Sequence, residues 1–179
     1  MTLSTVLART GGIEAVVPPV TPARISLRSK LLAYLALTKP RVIILLEVPT
    51  LAAMLVAGEA LPSVELVLVT LLGGALAAGG AAAINCYLDR DIDALMGDRT
   101  KQRPIPAGLV SPREALVLGV TMGVLAFGLL AWRANLLAAL LAMAALLFYV
   151  VVYTKLLKRT TPSNIVIGGA AGEIGRAHV

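Results

Sequence analysis

Cysteine is almost absent from this chain of 179 residues, in which Cys86 is the only thiol. One thiol excludes an internal disulfide, and it excludes a zinc site built from several thiolates. The fold must therefore be stabilised without covalent cross-links within the chain.

Charged residues are also scarce, at 15% of the chain, whereas hydrophobic residues make up 58%. Soluble domains average about 25% charged and about 45–50% apolar residues. With a mean hydropathy of +0.88, the chain is predicted to be an all-α integral membrane protein, a polytopic bundle in which short loops join transmembrane helices. Its length is enough for four or five spans of about 20 residues in one domain.

The formal net charge is +6, but the basic residues lie at the ends of apolar segments and not on one polar face. Nucleic acid is therefore excluded as a partner, and membrane orientation is the better explanation. Thirteen of the sixteen lysines and arginines fall on one side of the predicted spans, and only Arg133 falls in a loop on the other side. Because basic loops stay in the cytoplasm, the N-terminal tail and the loops after the second and fourth spans are predicted to be cytoplasmic.

Four apolar runs predict complete membrane spans, over residues 42–58, 64–87, 112–132 and 136–153, and residues 165–172 are interpreted as the start of a fifth. Ser111 is predicted to cap the third helix, with Pro112 at its first position. Residues 1–30 contain no apolar run of spanning length and are predicted to form a flexible cytoplasmic tail, with a transit peptide as the alternative.

Some residues inside the spans need a polar or tightly packed environment. A carboxylate in hydrocarbon is costly unless it is paired or neutral, so Glu47 should face the bundle interior. Pro49 is expected to bend the same helix. Small residues of the second span, such as Gly79 and Gly80, are expected to let neighbouring helices approach closely. A phosphate loop is the poorer interpretation of these glycines, because no Lys-Ser/Thr sequence follows them.

The segment NCYLDRDIDALMGDRTKQR, at residues 85–103, is the exception to the scarcity of charge, since it contains four aspartates together with several basic residues. Asn85, Asp89 and Asp93 recur every four residues, so on a continuous helix they share one face. Carboxylates four residues apart repel each other, and the helix dipole disfavours them near a helix C-terminus. A solvated charged loop is the alternative to a functional site.

A divalent cation would make this arrangement favourable. Mg²⁺ is bound by one or two carboxylates and is often shared with substrate phosphates, so Asp89 and Asp93 are predicted to hold Mg²⁺ against a diphosphate. Asn85 can add a neutral oxygen ligand. Asp91 and Asp98 lie off this face and are interpreted as salt-bridge residues or as support for the ligands.

Positive charge follows the aspartates at Arg99, Lys101 and Arg103, and an arginine can contact two phosphate oxygens at once. Together with the apolar helices, this suggests an allylic diphosphate substrate, whose leaving group needs its charge neutralised. The isoprenoid tail would lie among the helices, where water is kept from the carbocation until an electron-rich acceptor attacks.

Three ordered segments resemble the membrane prenyltransferases of the UbiA superfamily, and within it the branch that farnesylates haem: TKPRV at 38–42, NCYLDRDIDALMGDRTKQRPIPAG at 85–108 and YTKLLKRTTPSNIVIGGAAG at 153–172. The similarity covers roughly residues 30–172 and implies a nine-helix bundle in the bacterial inner membrane. It implies Mg²⁺-dependent transfer of a farnesyl group from farnesyl diphosphate to haem B, giving haem O for terminal oxidase assembly. Haem A synthase and oxidase assembly factors are the implied protein partners.

The resemblance also implies roles for single residues. Asn85, Asp89 and Asp93 correspond to the catalytic metal and diphosphate motif, and Arg99 and Arg103 correspond to diphosphate contacts. Tyr153 and Lys158 correspond to a second loop that binds the substrate.

The end of the chain departs from this pattern. Residues 173–179, EIGRAHV, place two charged residues and His178 in a segment that should be apolar, and they resemble a translated sequencing adapter. This tail is therefore expected to be non-native, and His178 is not expected to bind haem. Residues 31–172 are expected to be a partial domain that lacks the family's second Asp-rich motif and is inactive by itself.

Two other functions stay open on the sequence. One is prenyl transfer to an aromatic quinone precursor or a chlorophyll-like ring. The other is a non-catalytic membrane scaffold or transporter, whose charged loop only docks a partner.

Overall fold

A computed structural model of the chain describes residues 26–57 and 60–157. All regular structure in these two ranges is helical, and no strand occurs in them, which confirms the all-α prediction. The helices are α1 (Leu27–Thr38), α2 (Pro40–Val56), α3 (Val64–Leu88), α4 (Arg90–Leu95), α5 (Pro112–Arg133) and α6 (Leu136–Leu147), with a 3₁₀ turn (Gly97–Arg99) after α4 and a π-helical segment (Phe148–Leu157) after α6.

Polar side chains cap the helices at their predicted starts. The Ser111 hydroxyl accepts a hydrogen bond from the Glu114 amide, and the Glu114 carboxylate accepts one from the Ser111 amide, so a complete capping box precedes Pro112. The side chains of Ser63 and Asn135 cap α3 and α6 by accepting a hydrogen bond from the backbone amide three residues later. The predicted cap at Ser111 is confirmed.

Helix α1 is the element that the sequence analysis did not identify. It begins at Leu27, inside the last residues of the segment expected to be a tail; residues 1–25 lie outside the described ranges. Lys39 ends α1 and precedes α2 in a left-handed conformation, with φ of 54°. Residues other than glycine rarely adopt this backbone conformation, so the α1–α2 junction is an unusual turn. Pro40 then occupies the first position of α2.

Helix α3 is the centre of the bundle and packs most extensively against α5. At their crossing, a Cβ added to Gly80 would lie 2.7 Å from the Gly119 carbonyl oxygen, and one added to Gly119 would lie 2.8 Å from the Gly80 carbonyl oxygen. Such a close approach requires the absence of a side chain on both helices. The prediction that small residues bring the helices together is confirmed at this pair.

Three described helices are long and apolar enough to cross a membrane: Val64–Leu88, Pro112–Arg133 and Leu136–Leu156. They correspond to the second, third and fourth predicted spans. Helix α2 corresponds to the first and has only 17 residues, so that span stays a prediction. The start of a fifth span, at 165–172, lies outside the described residues.

Candidate functional site

The Asn85–Asp89–Asp93 row lies where α3 passes into α4. The Asp89 amide donates to the Asn85 carbonyl oxygen at 2.9 Å, and the Asp93 amide donates to the Asp89 carbonyl oxygen at 2.8 Å. The four-residue repeat therefore continues through the junction. All three residues are buried, with relative exposures of 5%, 1% and 4%. The prediction that they share one face is confirmed, and their burial shows that this face is turned to the inside of the bundle.

The Asn85 amide lies between an ammonium group and a carboxylate. Lys39 Nζ can only donate and a carboxylate can only accept, so the amide oxygen faces Lys39 and the amide nitrogen faces Asp89. In this orientation the oxygen accepts from Lys39 Nζ at 3.1 Å. The nitrogen donates to Asp89 Oδ2 at 3.0 Å and to Thr154 Oγ1 at 3.1 Å. Asn85, on α3, thus connects the α1–α2 junction to the π-helical segment.

Asp93 is neutralised by the loop that follows it. Arg103 Nη1 donates to Asp93 Oδ1 at 2.5 Å, where the Asp93 side chain is 4% exposed and the Arg103 side chain is 50% exposed. The hydrogen bond to Asp93 raises the pKa of Arg103 above its usual range, so the guanidinium stays charged. The buried Thr100 hydroxyl donates to the Asp93 carbonyl oxygen at 2.5 Å and holds the loop to α4.

The π-helical segment brings a second set of polar groups to the site. Thr154 is fully buried, and its hydroxyl donates to the Tyr149 carbonyl oxygen at 3.0 Å. The rings of Tyr149 and Tyr153 stack, with centroids 5.3 Å apart. π-Helical turns are uncommon and often occur at functional sites. In this protein the π-helical segment places the Thr154 hydroxyl next to the Asn85 amide.

Two cavities meet at Lys39. One has a volume of about 390 Å³, lies between α2, α3 and α6, and is mostly apolar, with Ala78, Ala142 and Tyr149 among its lining residues. The other has a volume of about 310 Å³ and is lined by Asp93, Arg103, Cys86 and the loop from Gln102 to Pro106. Because Lys39 lines both, an amphipathic ligand could place its charged end in one cavity and its apolar end in the other.

Glu47 faces the bundle interior, as predicted. Its Oε1 lies 2.9 Å from the position that a Cβ on Gly74 would take, so the carboxyl of α2 packs against the bare backbone of α3. Its Oε2 is buried and has no hydrogen-bond partner among the described residues. The carboxyl is therefore next to the apolar cavity, which Gly74 and Leu46 line.

The other predicted site residues differ in where they lie. Lys101 is 73% exposed and pairs with Asp98 at 2.5 Å, which confirms Asp98 as a salt-bridge residue and places Lys101 outside both cavities. The Arg99 backbone forms the end of the 3₁₀ turn, and nothing is described of its side chain. Tyr153 is half-buried, and Lys158 lies outside the described residues. Substrate binding by these residues stays a prediction.

Three residues of the site were not identified from the sequence as site residues: Lys39, Thr154 and Tyr149. Lys39 belongs to the segment TKPRV, whose resemblance was noted without assigning a role to the lysine. Thr154 is adjacent to Tyr153 and carries no distinctive spacing. For Lys39 and Thr154, the missing information is their contact with Asn85, which is distant in the chain.

The donor set of the site is compatible with Mg²⁺. No group of three or more His, Cys, Asp or Glu side chains that could hold a metal occurs in the described ranges. Mg²⁺ needs only one or two carboxylates when phosphates and water complete its coordination, and Asp89 and Asp93 are two buried carboxylates on one face. The Asn85 oxygen is engaged by Lys39.

Fold and site define a helical membrane protein in which two buried aspartates, a buried asparagine and their basic neighbours lie beside an apolar cavity. Comparison with known protein families identifies the family. The model of the UbiA prenyltransferase family matches residues 46–175, and the chain belongs to that family. No solved structure matches it.

The chain is similar to several curated bacterial proteins. It is 59% identical over 154 residues to Protoheme IX farnesyltransferase 1 of Saccharopolyspora erythraea, covering 86% of this chain and 48% of the relative. It is 54% identical over 151 residues to Protoheme IX farnesyltransferase of Renibacterium salmoninarum, covering 84% and 47%. For the protein of that name from Thermosynechococcus vestitus, identity is 56% over 148 residues, covering 83% and 46%. The chain thus spans about half the length of these relatives.

Proposed function

We propose that the protein transfers a farnesyl group from farnesyl diphosphate to haem B, giving haem O for terminal oxidase assembly, and that the reaction depends on Mg²⁺. The observation that carries this proposal is the buried Asn85–Asp89–Asp93 row, with Arg103 beside it and an apolar cavity beyond Lys39. The names of the relatives supply the farnesyl donor and the haem acceptor.

The cavity lined by Asp93 and Arg103 would bind the diphosphate. Arg103 and Lys39 are fixed positive charges at its wall, and they can hold phosphate oxygens by charge-assisted hydrogen bonds. Mg²⁺, bound by Asp89 and Asp93, would neutralise charge on the departing diphosphate. Arg103 and Lys39 would also neutralise this charge, from fixed positions, as the C–O bond breaks.

The apolar cavity would hold the isoprenoid tail. Its volume of about 390 Å³ is within the range of small-molecule sites, about 300–1,000 Å³. Alanine and leucine side chains line most of it, so they keep water from the allylic carbocation until the haem attacks. Tyr149 also lines this cavity and adds an aromatic ring to its wall.

The proposed location is the bacterial inner membrane, with the site on the cytoplasmic side. The concentration of thirteen basic residues on the side that carries residues 85–103 supports this orientation. In sealed inverted vesicles, a membrane-impermeant thiol reagent should label a cysteine introduced at the exposed Asp98; labelling only from the periplasmic side would contradict the orientation.

The proposal is tested by incubating membranes that contain the full-length protein with labelled farnesyl diphosphate, Mg²⁺ and either haem B or hydroxybenzoate. Label is expected in haem and not in hydroxybenzoate. Asp89→Asn and Asp93→Asn are each expected to lower the rate about a hundredfold or more. Each change removes a carboxylate that would bind Mg²⁺, so the negative charge that develops on the diphosphate loses its counterion.

Asp98→Asn is the matched control, since Asp98 is an exposed aspartate of the same segment and should tolerate the change. If label appeared only in hydroxybenzoate, haem would not be the acceptor, and the proposed reaction would be wrong. Full activity in both Asp→Asn variants would instead favour a non-catalytic role of the segment.

A further inference from the structure

Thr154 is fully buried and no role has been assigned to it. Its hydroxyl hydrogen is committed to the Tyr149 carbonyl oxygen, five residues earlier, which is the carbonyl that a π-helical turn places nearest. A hydroxyl that donates there can only accept from its other neighbour. That neighbour is the amide nitrogen of Asn85, at 3.1 Å.

The other side of the same amide is held by Lys39. Lys39 lies in the left-handed junction between α1 and α2, and its ammonium donates to the Asn85 oxygen at 3.1 Å. One cation and one hydroxyl, from segments 115 residues apart in the chain, therefore determine which way the amide faces. Its second N–H points to Asp89 Oδ2, at 3.0 Å.

We propose that Thr154, together with Lys39, is a positioning residue that orients the Asn85 amide so that its nitrogen donates to Asp89. In this arrangement Asn85 holds the Asp89 carboxylate in place for the diphosphate site, and its oxygen is directed away from that carboxylate. The inference rests on the proposed function for the identity of the ligand. It goes beyond that function because it assigns Asn85 the role of a hydrogen-bond donor.

The test compares variants of the full-length protein in their affinity for farnesyl thiodiphosphate, an unreactive analogue, in the presence of Mg²⁺. Thr154→Val keeps the shape of the side chain and removes the hydroxyl, and it is expected to weaken binding about tenfold, as loss of a buried hydrogen bond would. Thr154→Ser keeps the hydroxyl and should restore most of the affinity.

Thr50→Val is the matched control. The Thr50 hydroxyl also donates to a backbone carbonyl, that of Leu46 at 2.9 Å, but Thr50 lines neither cavity. Analogue affinity should be unchanged in this variant. Equal losses in Thr154→Val and Thr50→Val would mean that a threonine hydroxyl bonded to a carbonyl of its own helix only stabilises that helix, and would overturn the inference.

A double-mutant cycle shows whether Thr154 acts through Asn85. If it does, Thr154→Val should have no further effect on analogue affinity in an Asn85→Ala background, whereas additive losses would contradict it. Asn85→Asp separates the donor role from a ligand role, because a carboxylate binds Mg²⁺ better than an amide does but repels Asp89. Asn85→Asp should bind as weakly as Asn85→Ala or more weakly, and retained affinity would overturn the inference.

The proposed function can fail independently. If the wild type binds the analogue but transfers no farnesyl group to haem B, the reaction is wrong while the variant series still decides the role of Thr154. If the wild type does not bind the analogue, both proposals fail.

Discussion

Arg103 is the residue on which the charge balance of the site depends, because Asp93 is buried and Arg103 is its cationic partner. Arg103→Gln should lower the free energy of unfolding by about 2 kcal/mol. This is less than the 3–5 kcal/mol of a fully buried pair, since Arg103 is half-exposed. Affinity for pyrophosphate should fall as well. Thermal unfolding and pyrophosphate titration of the purified protein in detergent measure the two effects.

Lys101→Gln is the control for this prediction, since Lys101 is a cation of the same loop whose partner, Asp98, is exposed. Exposed ion pairs contribute little, so stability should change by less than about 0.5 kcal/mol. Pyrophosphate affinity in this variant also tests the prediction that Lys101 binds the substrate. If both variants behave alike, burial of Asp93 is not what makes Arg103 important.

The pH dependence of this ion pair has a definite sign. The pKa of Arg103 is higher in the folded state than in the unfolded chain, so the charged guanidinium stabilises the fold. This stability is fully present at any pH below the ordinary pKa of arginine, and it is lost only when the pH rises through the still higher pKa of the folded state. Arg103 therefore stays charged at every pH used for assays, and its anion binding should not change across the neutral range.

At the scale of the helices, the α3–α5 crossing should be the least tolerant contact. A Cβ on Gly119 would lie 2.8 Å from the Gly80 carbonyl oxygen and 2.6 Å from Ile84 Cγ1, and the backbone atom cannot move without moving the helix. Gly119→Ala should therefore lower the stability by about 1–3 kcal/mol. Gly128→Ala, on the same helix but with no atom near its Cβ position, should leave stability unchanged or slightly higher. Thermal unfolding of both variants decides it; equal midpoints would show that the helices can separate at no cost.

The helices differ in how far their local sequence predicts them. Ser111 and Pro112 predict the start of α5, and a four-residue repeat predicts that Asn85, Asp89 and Asp93 share one face. Both features can be predicted because each signal lies within a few residues of sequence. Helix α1 begins with a capping serine, Ser26, but a capping serine alone does not predict a helix, and the sequence of α1 is neither of spanning length nor strongly amphipathic. The π-helical turn follows an apolar run that a regular helix would fit equally well.

The site itself could be predicted only where it is local. The aspartates and Arg103 lie within nineteen residues of Asn85, and their spacing indicated a common function. Lys39 and Thr154 join Asn85 from either side of the bundle, so their contacts depend on how α2, α3 and the π-helical segment pack. No pattern within one segment carries that information.

At the scale of the whole molecule, the two cavities on either side of Lys39 divide the proposed ligand into parts that can be tested separately. Ala142→Leu adds apolar volume to the wall of the apolar cavity. It should weaken binding of farnesyl thiodiphosphate about tenfold, because the side chain occupies space that the tail needs. Binding of inorganic pyrophosphate should be unchanged, in contrast to Arg103→Gln. Ala144→Leu, at an exposed position of the same helix, should affect neither ligand. Equal weakening of both ligands by Ala142→Leu would mean that the tail and the diphosphate do not occupy separate cavities.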